Sequence, residues 1–367
     1  MRYLSNKNAL PEQEFMSLSP ERKNVLLTAV ALLLALGLAE MGARIILPPP
    51  YRIRSRKPSS MKAMPRFAAD PDLGWVNAPE DATYHFVSAG ANGTTDAVYH
   101  MHGGLRDSSP PRTAAQAANP ILIATGCSFT YGMGVNDADT WPWLVQEQMP
   151  GYRIINAGTN AYGVGQALLR SDRLISQFPG QVKAVMLAFG DFQVDRDRAG
   201  QKDLLSLYPF GRPRFVEAGS GVKREGTVRF WTPGPFLERS SLLMHVINQV
   251  AIIGNKTPSE DGSRELSARL IEDFAKRCRA RNIAFGVIVL PHGSDGGPYS
   301  TKTRNFMVDR LRKSSITTFV PDFPRGPDGK INRSKYFIAS DEFHPDREYN
   351  LIFAQSVRQS LESLIGK

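Results

Sequence analysis

Apolar positions along the chain follow three successive patterns. The first is an unbroken run, "VLLTAVALLLALGLA" (Val25 to Ala39), which contains no charge and continues as "EMGARIIL". Glu40 and Arg44 stand four residues apart, a spacing that pairs them on one helical face. Val25 to Leu47 is long enough to cross a bilayer with that pair near one interface. A cleaved signal peptide fits the same run, since "GLA" offers small residues for cleavage. The long polar leader, residues 1–24, favours a retained anchor. The second pattern is strict alternation in short runs between Asp70 and Arg106, such as "TYHFVSA" and "AVYHMH", bounded by Gly, Asn and Asp. These predict strands of a small accessory β-segment.

From residue 121 the pattern changes to short apolar runs separated by segments of helical period. Strands are predicted at "ILIAT" (121–125), "YRIIN" (152–156), "KAVMLAF" (183–189), "AFGVIVL" (284–290) and "TTFV" (317–320). "WPWLVQEQM" is a helix behind a Thr140 cap, and "GQALLRSDRLISQF" places apolar residues at 168, 169, 174, 175 and 178. "SRELSARLIEDFAKRCRARN" and the final "YNLIFAQSVRQSLESLI" are amphipathic, the latter with Phe353, Val357, Leu361 and Leu364 on one face. Apolar strands joined by helical crossovers imply a mostly parallel sheet covered on both faces.

The expected organisation is a polar leader (1–24), an anchor helix (25–47), a linker (48–69), an accessory β-segment with a second linker (70–119) and an α/β domain (120–367). The Pro-, Gly- and Arg-rich stretch 193–261 breaks the rhythm and reads as an insertion at the sheet's C-terminal edge. The chain has 367 residues, 42% hydrophobic and 22% charged, so a sizeable core is available. Its net charge of +10 suits an anionic membrane surface or an acidic glycan. The positive charges are scattered and no reading motif accompanies them, which argues against nucleic acid. The two cysteines, Cys127 and Cys278, do not look like a structural disulfide, one abutting the candidate site and the other lying in a helical pattern. Basic residues flank the anchor on both sides. Taken literally, the charge rule places the C-terminal domain in the cytoplasm. A lone N-terminal apolar segment is the usual export device, and an extracytoplasmic domain is the expectation carried forward.

The candidate chemistry begins where the first strand ends, in "ILIATGCSFTYGMGV" (121–135). Ligands of open α/β sheets bind beyond the carboxyl ends of strands, and Ser128 sits just past this one. A serine becomes a nucleophile when a base takes its proton, and the base needs an orienting acid. "SDEFHPD" supplies both, with Asp341 three residues before His344. The final helix should start just after His344, with Pro345 in its first turn. "NAGTNAYG" (156–163) closes the second strand, and there the N–H of Gly158 joins that of Ser128 as an oxyanion donor. His100 and His102 in "HMH" share a strand face, but two ligands do not make a zinc site, and no metal or cofactor is expected. "DRDR" (195–198) reads as a solvated loop.

"GCSFTYG", "NAG" and "DEFH" together make the chain similar to the SGNH (GDSL-type) hydrolases. Membrane-anchored bacterial members often carry a similar leader and a "DPDLGW…GGLRD"-like β-segment. The resemblance covers roughly residues 70–367. It implies a flavodoxin-like three-layer α/β/α fold with a five-stranded parallel sheet. It also implies Ser128 as nucleophile, His344 as base, Asp341 as its orienter and Gly158 as an oxyanion donor. Two departures stand out. The usual Gly-Asp-Ser reads Gly126-Cys127-Ser128, which removes no triad member. The family's Gly-x-Asn-Asp, whose Asn completes the oxyanion hole, corresponds to "LAFGDFQVDRD" (187–197), which has no Asn. Gln193 or Asn160 are the candidates to replace that amide, unless backbone N–H groups suffice.

The expected activity is therefore a serine esterase removing an O-acyl group from an envelope glycan or lipid. An O-acyltransferase uses the same constellation and differs only in what attacks the acyl-enzyme. A membrane-anchored binding or assembly protein of the same fold is the alternative from another class. Oligomeric state is not legible in the sequence.

Overall fold

The computed structural model describes residues 19–46, 67–90, 92–109, 118–198, 211–219, 221–228, 240–246, 260–291, 301–341 and 343–366. Most of the polar leader, both linkers and much of the insertion lie outside the described residues. The chain divides into two compact units, Met1–Arg54 with Trp231–Gly254, and Ser55–Phe230 with Asn255–Lys367.

In the first unit, α1 (Pro20–Ile46) is the one described helix long and apolar enough to cross a membrane. Its apolar side chains are exposed, Leu33 at 69%. The expected Glu40–Arg44 pair forms at 2.7 Å. Glu40 also accepts from the Ser240 hydroxyl at 2.8 Å and from the Ser241 and Leu242 N–H groups at 2.7 and 2.9 Å. Those amides open a helical stretch at 241–246, so the Glu40 carboxylate of α1 caps a helix about two hundred residues away in sequence.

The second unit starts with the hairpin β1 (Phe67–Asp70) and β2 (Gly74–Asn77), then β3 (Ala82–Gly90), β4 (Gly93–His102) and β5 (Leu105–Arg106). Next come β6 (Ile121–Thr125), the single-turn α2 (Ser128–Tyr131), α3 (Trp141–Gln148), β7 (Arg153–Asn156), α4 (Val164–Gln177) and β8 (Val182–Phe189). A 3₁₀ helix (Asp191–Arg198) leads to the hairpin β9 (Arg212–Ala218) and β10 (Gly221–Val228). The chain ends with α5 (Glu260–Ala280), β11 (Ala284–Val289), α6 (Thr301–Lys313), β12 (Thr317–Phe319), α7 (Arg333–Tyr336) and α8 (Arg347–Ile365).

One sheet of eight strands, in the order β12-β11-β8-β6-β7-β5-β4-β3, organises this unit. Its five strands β6, β7, β8, β11 and β12 are parallel, as the sequence pattern predicts. Period-2 alternation sends Ile121 and Ile123 to one core, with Leu168 of α4, Ile271 of α5 and Met307 of α6. Leu122 and Ala124 face the other, with Val145 of α3 and Phe353 of α8. The result is three layers, α/β/α.

The accessory strands are not a separate segment. β5 joins the sheet through an antiparallel pairing of Arg106 with Asn156, and β4 and β3 extend it. Helix α6 is not evident from the sequence pattern, because its buried Thr303, Met307, Val308 and Leu311 give a short and partly polar stripe.

The "DRDR" stretch also departs from expectation. It lies in the 3₁₀ helix, and Asp197 is buried, accepting from the Gly165 N–H and the Ser267 hydroxyl, each at 2.8 Å. Burial pushes its carboxyl up to about 6, against those two donors and the charges of Arg212 and Arg196. The folded protein thus holds this proton more tightly than the unfolded chain. The stability it contributes is complete below the ordinary carboxylate range and is lost as pH rises through about 6. Asp197→Asn should therefore gain roughly 3 kcal/mol relative to the natural chain between about pH 4 and pH 7. Denaturant titrations at both pH values measure the difference.

Candidate active site

Strand β6 ends at Thr125, the chain passes Gly126 and Cys127, and Ser128 opens the single turn α2. Cys127 is the extended N-cap residue of that turn. Its thiol is completely buried, which pushes its pKa up and removes it as a nucleophile. Cys278 is likewise buried and free, its thiol pushed up to about 12 by burial. Of the two small nucleophilic side chains at the strand end, only Ser128 faces a base.

That base comes from the opposite end of the sequence. His344 Nε2 lies 3.0 Å from Ser128 Oγ, and its Nδ1 lies 2.6 Å from Asp341 Oδ2. A carboxylate only accepts, so the ring carries its proton on Nδ1 and offers Nε2 as acceptor to the serine hydroxyl. Asp341 is fixed in turn by the Phe343 and His344 N–H groups, which donate to its Oδ1 at 2.9 and 3.0 Å. Partial burial opposes its ionisation, but the His344 hydrogen bond and charge and these two amides outweigh it and hold its carboxyl below the usual range. Phe129 and Phe343 flank the imidazole, with ring centroids 5.9 and 5.0 Å away.

Pro345 does not enter the final helix. It bridges to Phe337, and Asp346 caps α8 by accepting from the Tyr349 N–H at 2.9 Å. The Ile338 N–H donates to the His344 carbonyl at 2.9 Å, closing the "SDEFHPD" loop on itself. The Asp-x-x-His spacing therefore sits in a tied loop before the helix rather than in its first turn.

The second strand's loop runs beside the Ser128 turn. The Ala157 N–H donates to the Ala124 carbonyl at 2.8 Å and the Thr159 N–H to the Gly126 carbonyl at 3.4 Å. A Cβ on Gly158 would meet Thr130 C at 2.6 Å and Tyr131 Cα at 2.8 Å. Close approach of two backbones, not an unusual dihedral, requires glycine there. The left-handed position in this loop is Ala161, at φ 62°, where Arg212 Nη2 donates to its carbonyl at 3.0 Å.

The other amide candidates differ sharply. The N–H of Gly158 is taken by Asn156 Oδ1 at 3.0 Å. Gln193 is fully buried, accepting from the Gly190 N–H at 2.8 Å while its Nε2 donates to the Tyr162 carbonyl at 3.5 Å. Asn160 differs from both: its side-chain Oδ1 is buried with no hydrogen-bond partner among the described residues. His100 and His102 each turn to carboxylates, His100 to Asp137 at 2.6 Å and His102 to Asp81 and Asp107 at 3.4 and 3.5 Å. Among the described residues no cluster of three or more His, Cys, Asp or Glu side chains is placed to hold a metal ion.

No protein-family model matches the chain, and no curated protein does. Solved structures do. A lipolytic protein of the G-D-S-L family from Desulfitobacterium hafniense is 12% identical over 66% of this chain and 99% of its own, with a TM-score of 0.40. The psychrotrophic esterase EstA from Pseudoalteromonas is 14% identical over 68% and 100%, with a TM-score of 0.39. A GDSL-like lipase from Bacteroides thetaiotaomicron is 12% identical over 69% and 91%, with a TM-score of 0.37. The chain is similar to these ester hydrolases in fold, the same class that its "GCSFTYG", "NAG" and "DEFH" segments resemble. Such distant likeness assigns no activity, and the geometry around Ser128 has to carry one.

Proposed function

We propose that the protein is a membrane-anchored serine esterase that cleaves an O-acyl ester through Ser128, His344 and Asp341. The observation that carries this reading is the continuous path from Ser128 Oγ to His344 at 3.0 Å and on to Asp341 at 2.6 Å. His344 Nε2 takes the hydroxyl proton as Ser128 Oγ attacks the ester carbonyl. The same proton passes to the leaving alkoxide as the tetrahedral intermediate collapses to an acyl-enzyme. Asp341 orients the ring and offsets the charge of the imidazolium. Water, deprotonated by His344, then attacks the acyl-enzyme and releases the acid and free serine.

The developing oxyanion needs donors aimed at it. The Ser128 N–H opens α2 and is the first. With the Gly158 N–H engaged by Asn156 and Gln193 built into the 189–193 turn, this reading takes the Nδ2 of Asn160 as the second donor. Asn160→Ala should lower kcat by roughly 100-fold with little change in melting temperature, the usual cost of one such donor. Gln193→Ala should instead lower the melting temperature, since it leaves a buried backbone N–H without its acceptor.

The exposed apolar side chains of α1 support the membrane-anchor part of this reading, and the proposal takes an acylated glycan or lipid of the cell envelope as substrate and the catalytic unit as extracytoplasmic. Full-length protein in detergent should release p-nitrophenol from p-nitrophenyl acetate and acetate from an O-acetylated polysaccharide. Neither product in a preparation that is folded by circular dichroism would overturn the esterase reading. Acetyl transfer to an added sugar alcohol in excess over hydrolysis would mark the transferase variant of the same chemistry.

A further inference from the structure

The turn that carries Ser128 is too short to hold itself. Four residues close a single helical turn, and fixing one isolated turn is unfavourable. Its last carbonyls, and the loop after it, point into the protein, where an unpaired carbonyl is costly. A single side chain gathers them. Arg106, at the end of β5, has its side chain fully buried. Its Nη1 donates to the Tyr131 carbonyl at 2.8 Å and to the Gly132 carbonyl, and its Nη2 donates to the Val135 carbonyl at 2.5 Å. The guanidinium carbon lies over the Tyr99 ring, 4.0 Å from its centroid. Its Nε donates to Asp137 Oδ1 at 2.6 Å, and Asp137 Oδ2 is held by the His100 N–H at 2.9 Å and faces His100 Nδ1 at 2.6 Å.

The connection to the nucleophile is short. The Gly132 and Met133 N–H groups both donate to the carbonyl of Ser128 itself, at 2.9 and 3.0 Å. Arg106 holds the carbonyls of residues 131 and 132, and residues 132 and 133 hold Ser128. Glycine at 132 leaves room for this, since a Cβ there would stand 3.0 Å from Arg106 Nη1.

We propose that Arg106 is a positioning residue for catalysis, fixing the Ser128 turn so that Oγ meets His344; this rests on the esterase reading above. The requirement is for a planar fork. Three carbonyls and a carboxylate around one side chain match the donors of a guanidinium, whereas an ammonium is a point charge that serves fewer of them in one geometry. A displacement of Ser128 by about 1 Å is enough to cost on the order of 100-fold in rate. The accessory strands thus brace the site. β4 also supports its other half, because Thr95 Oγ1 accepts from the Ser340 N–H at 3.2 Å, next to Asp341.

The test compares full-length natural protein, Arg106→Lys and Asp137→Asn in detergent, well below each melting temperature. The first readout is kcat and KM for a short-chain activated ester. Arg106→Lys should lower kcat about 10- to 100-fold and leave KM within about twofold, with Asp137→Asn intermediate. The second readout needs no turnover: the ring ¹⁵N signals of His344, which should shift in both variants as the Ser128 hydrogen bond loosens. A role confined to stability would lower the melting temperature while leaving kcat and the His344 signals unchanged, and would overturn the proposal. If Arg106→Lys fails to fold, Asp137→Asn decides by the same two readouts. Failure of the esterase reading is separate: the natural protein would itself show no hydrolysis, and the His344 signals would still decide the positioning claim.

Discussion

Ser128→Ala is expected to lower kcat/KM for a short-chain activated ester by on the order of 10⁴-fold or more, and His344→Ala by a similar factor. The two form one device, since His344 has no proton to take once the hydroxyl is gone. The double variant should therefore be no slower than either single one, a non-additivity that independent contributions cannot produce. Both should keep their melting temperatures, because neither the His344 imidazole nor the Ser128 hydroxyl belongs to the two apolar cores on either side of the sheet. Steady-state rates on the three variants, with thermal melts as controls, measure it. Losses that multiply in the double variant would place Ser128 and His344 in separate roles.

The second large effect comes from a methyl group. Gly158→Ala should lower both stability and rate, by about 1–3 kcal/mol or more and on the order of 100-fold. The added Cβ meets the backbone of Thr130 and Tyr131, at 2.6 Å from Thr130 C, and backbone cannot rotate away. Those residues belong to α2, so relief of the clash moves the turn that carries Ser128. Gly190→Ala is the contrast. Its Cβ would meet the ring of Phe192 at 2.5 Å, and a side chain can swing aside. Thermal melts and ester hydrolysis on the two variants should rank Gly158→Ala well below Gly190→Ala. Equal effects would mean that Gly158 has no special bearing on the turn.

What was legible in the sequence follows from where each signal lies. Four of the five parallel strands announce themselves as apolar runs, because both of their faces are buried, whereas β12 is a short, partly buried edge strand. Ser128 shows itself by interrupting such a run at a strand's carboxyl end, and Asp341 and His344 by their spacing. Arg106 gives no such signal, since a lone arginine after "GGL" reads as surface charge until the carbonyls around it are seen. Asp197 hides for the same reason within "DRDR", where its burial depends on Ser267 and Gly165 from distant helices. The sequence pattern suggests Gly158 as a donor, whereas its N–H is spoken for and its missing side chain is what the fold uses. Glu40 showed its i,i+4 partner but not Ser240 to Leu242, which are local only in space. Short-range spacing was readable; contacts set by chain return were not.

The central claim is that Ser128 is an activated nucleophile, and covalent capture tests it most directly. Full-length protein is treated with a fluorescent alkyl phosphonate, digested, and the labelled peptide mapped by mass spectrometry. The arrangement around His344 predicts stoichiometric label on Ser128, absent from Ser128→Ala and strongly slowed in His344→Ala. Folded natural protein that takes up no phosphonate, or that takes it up at another residue, would contradict the account.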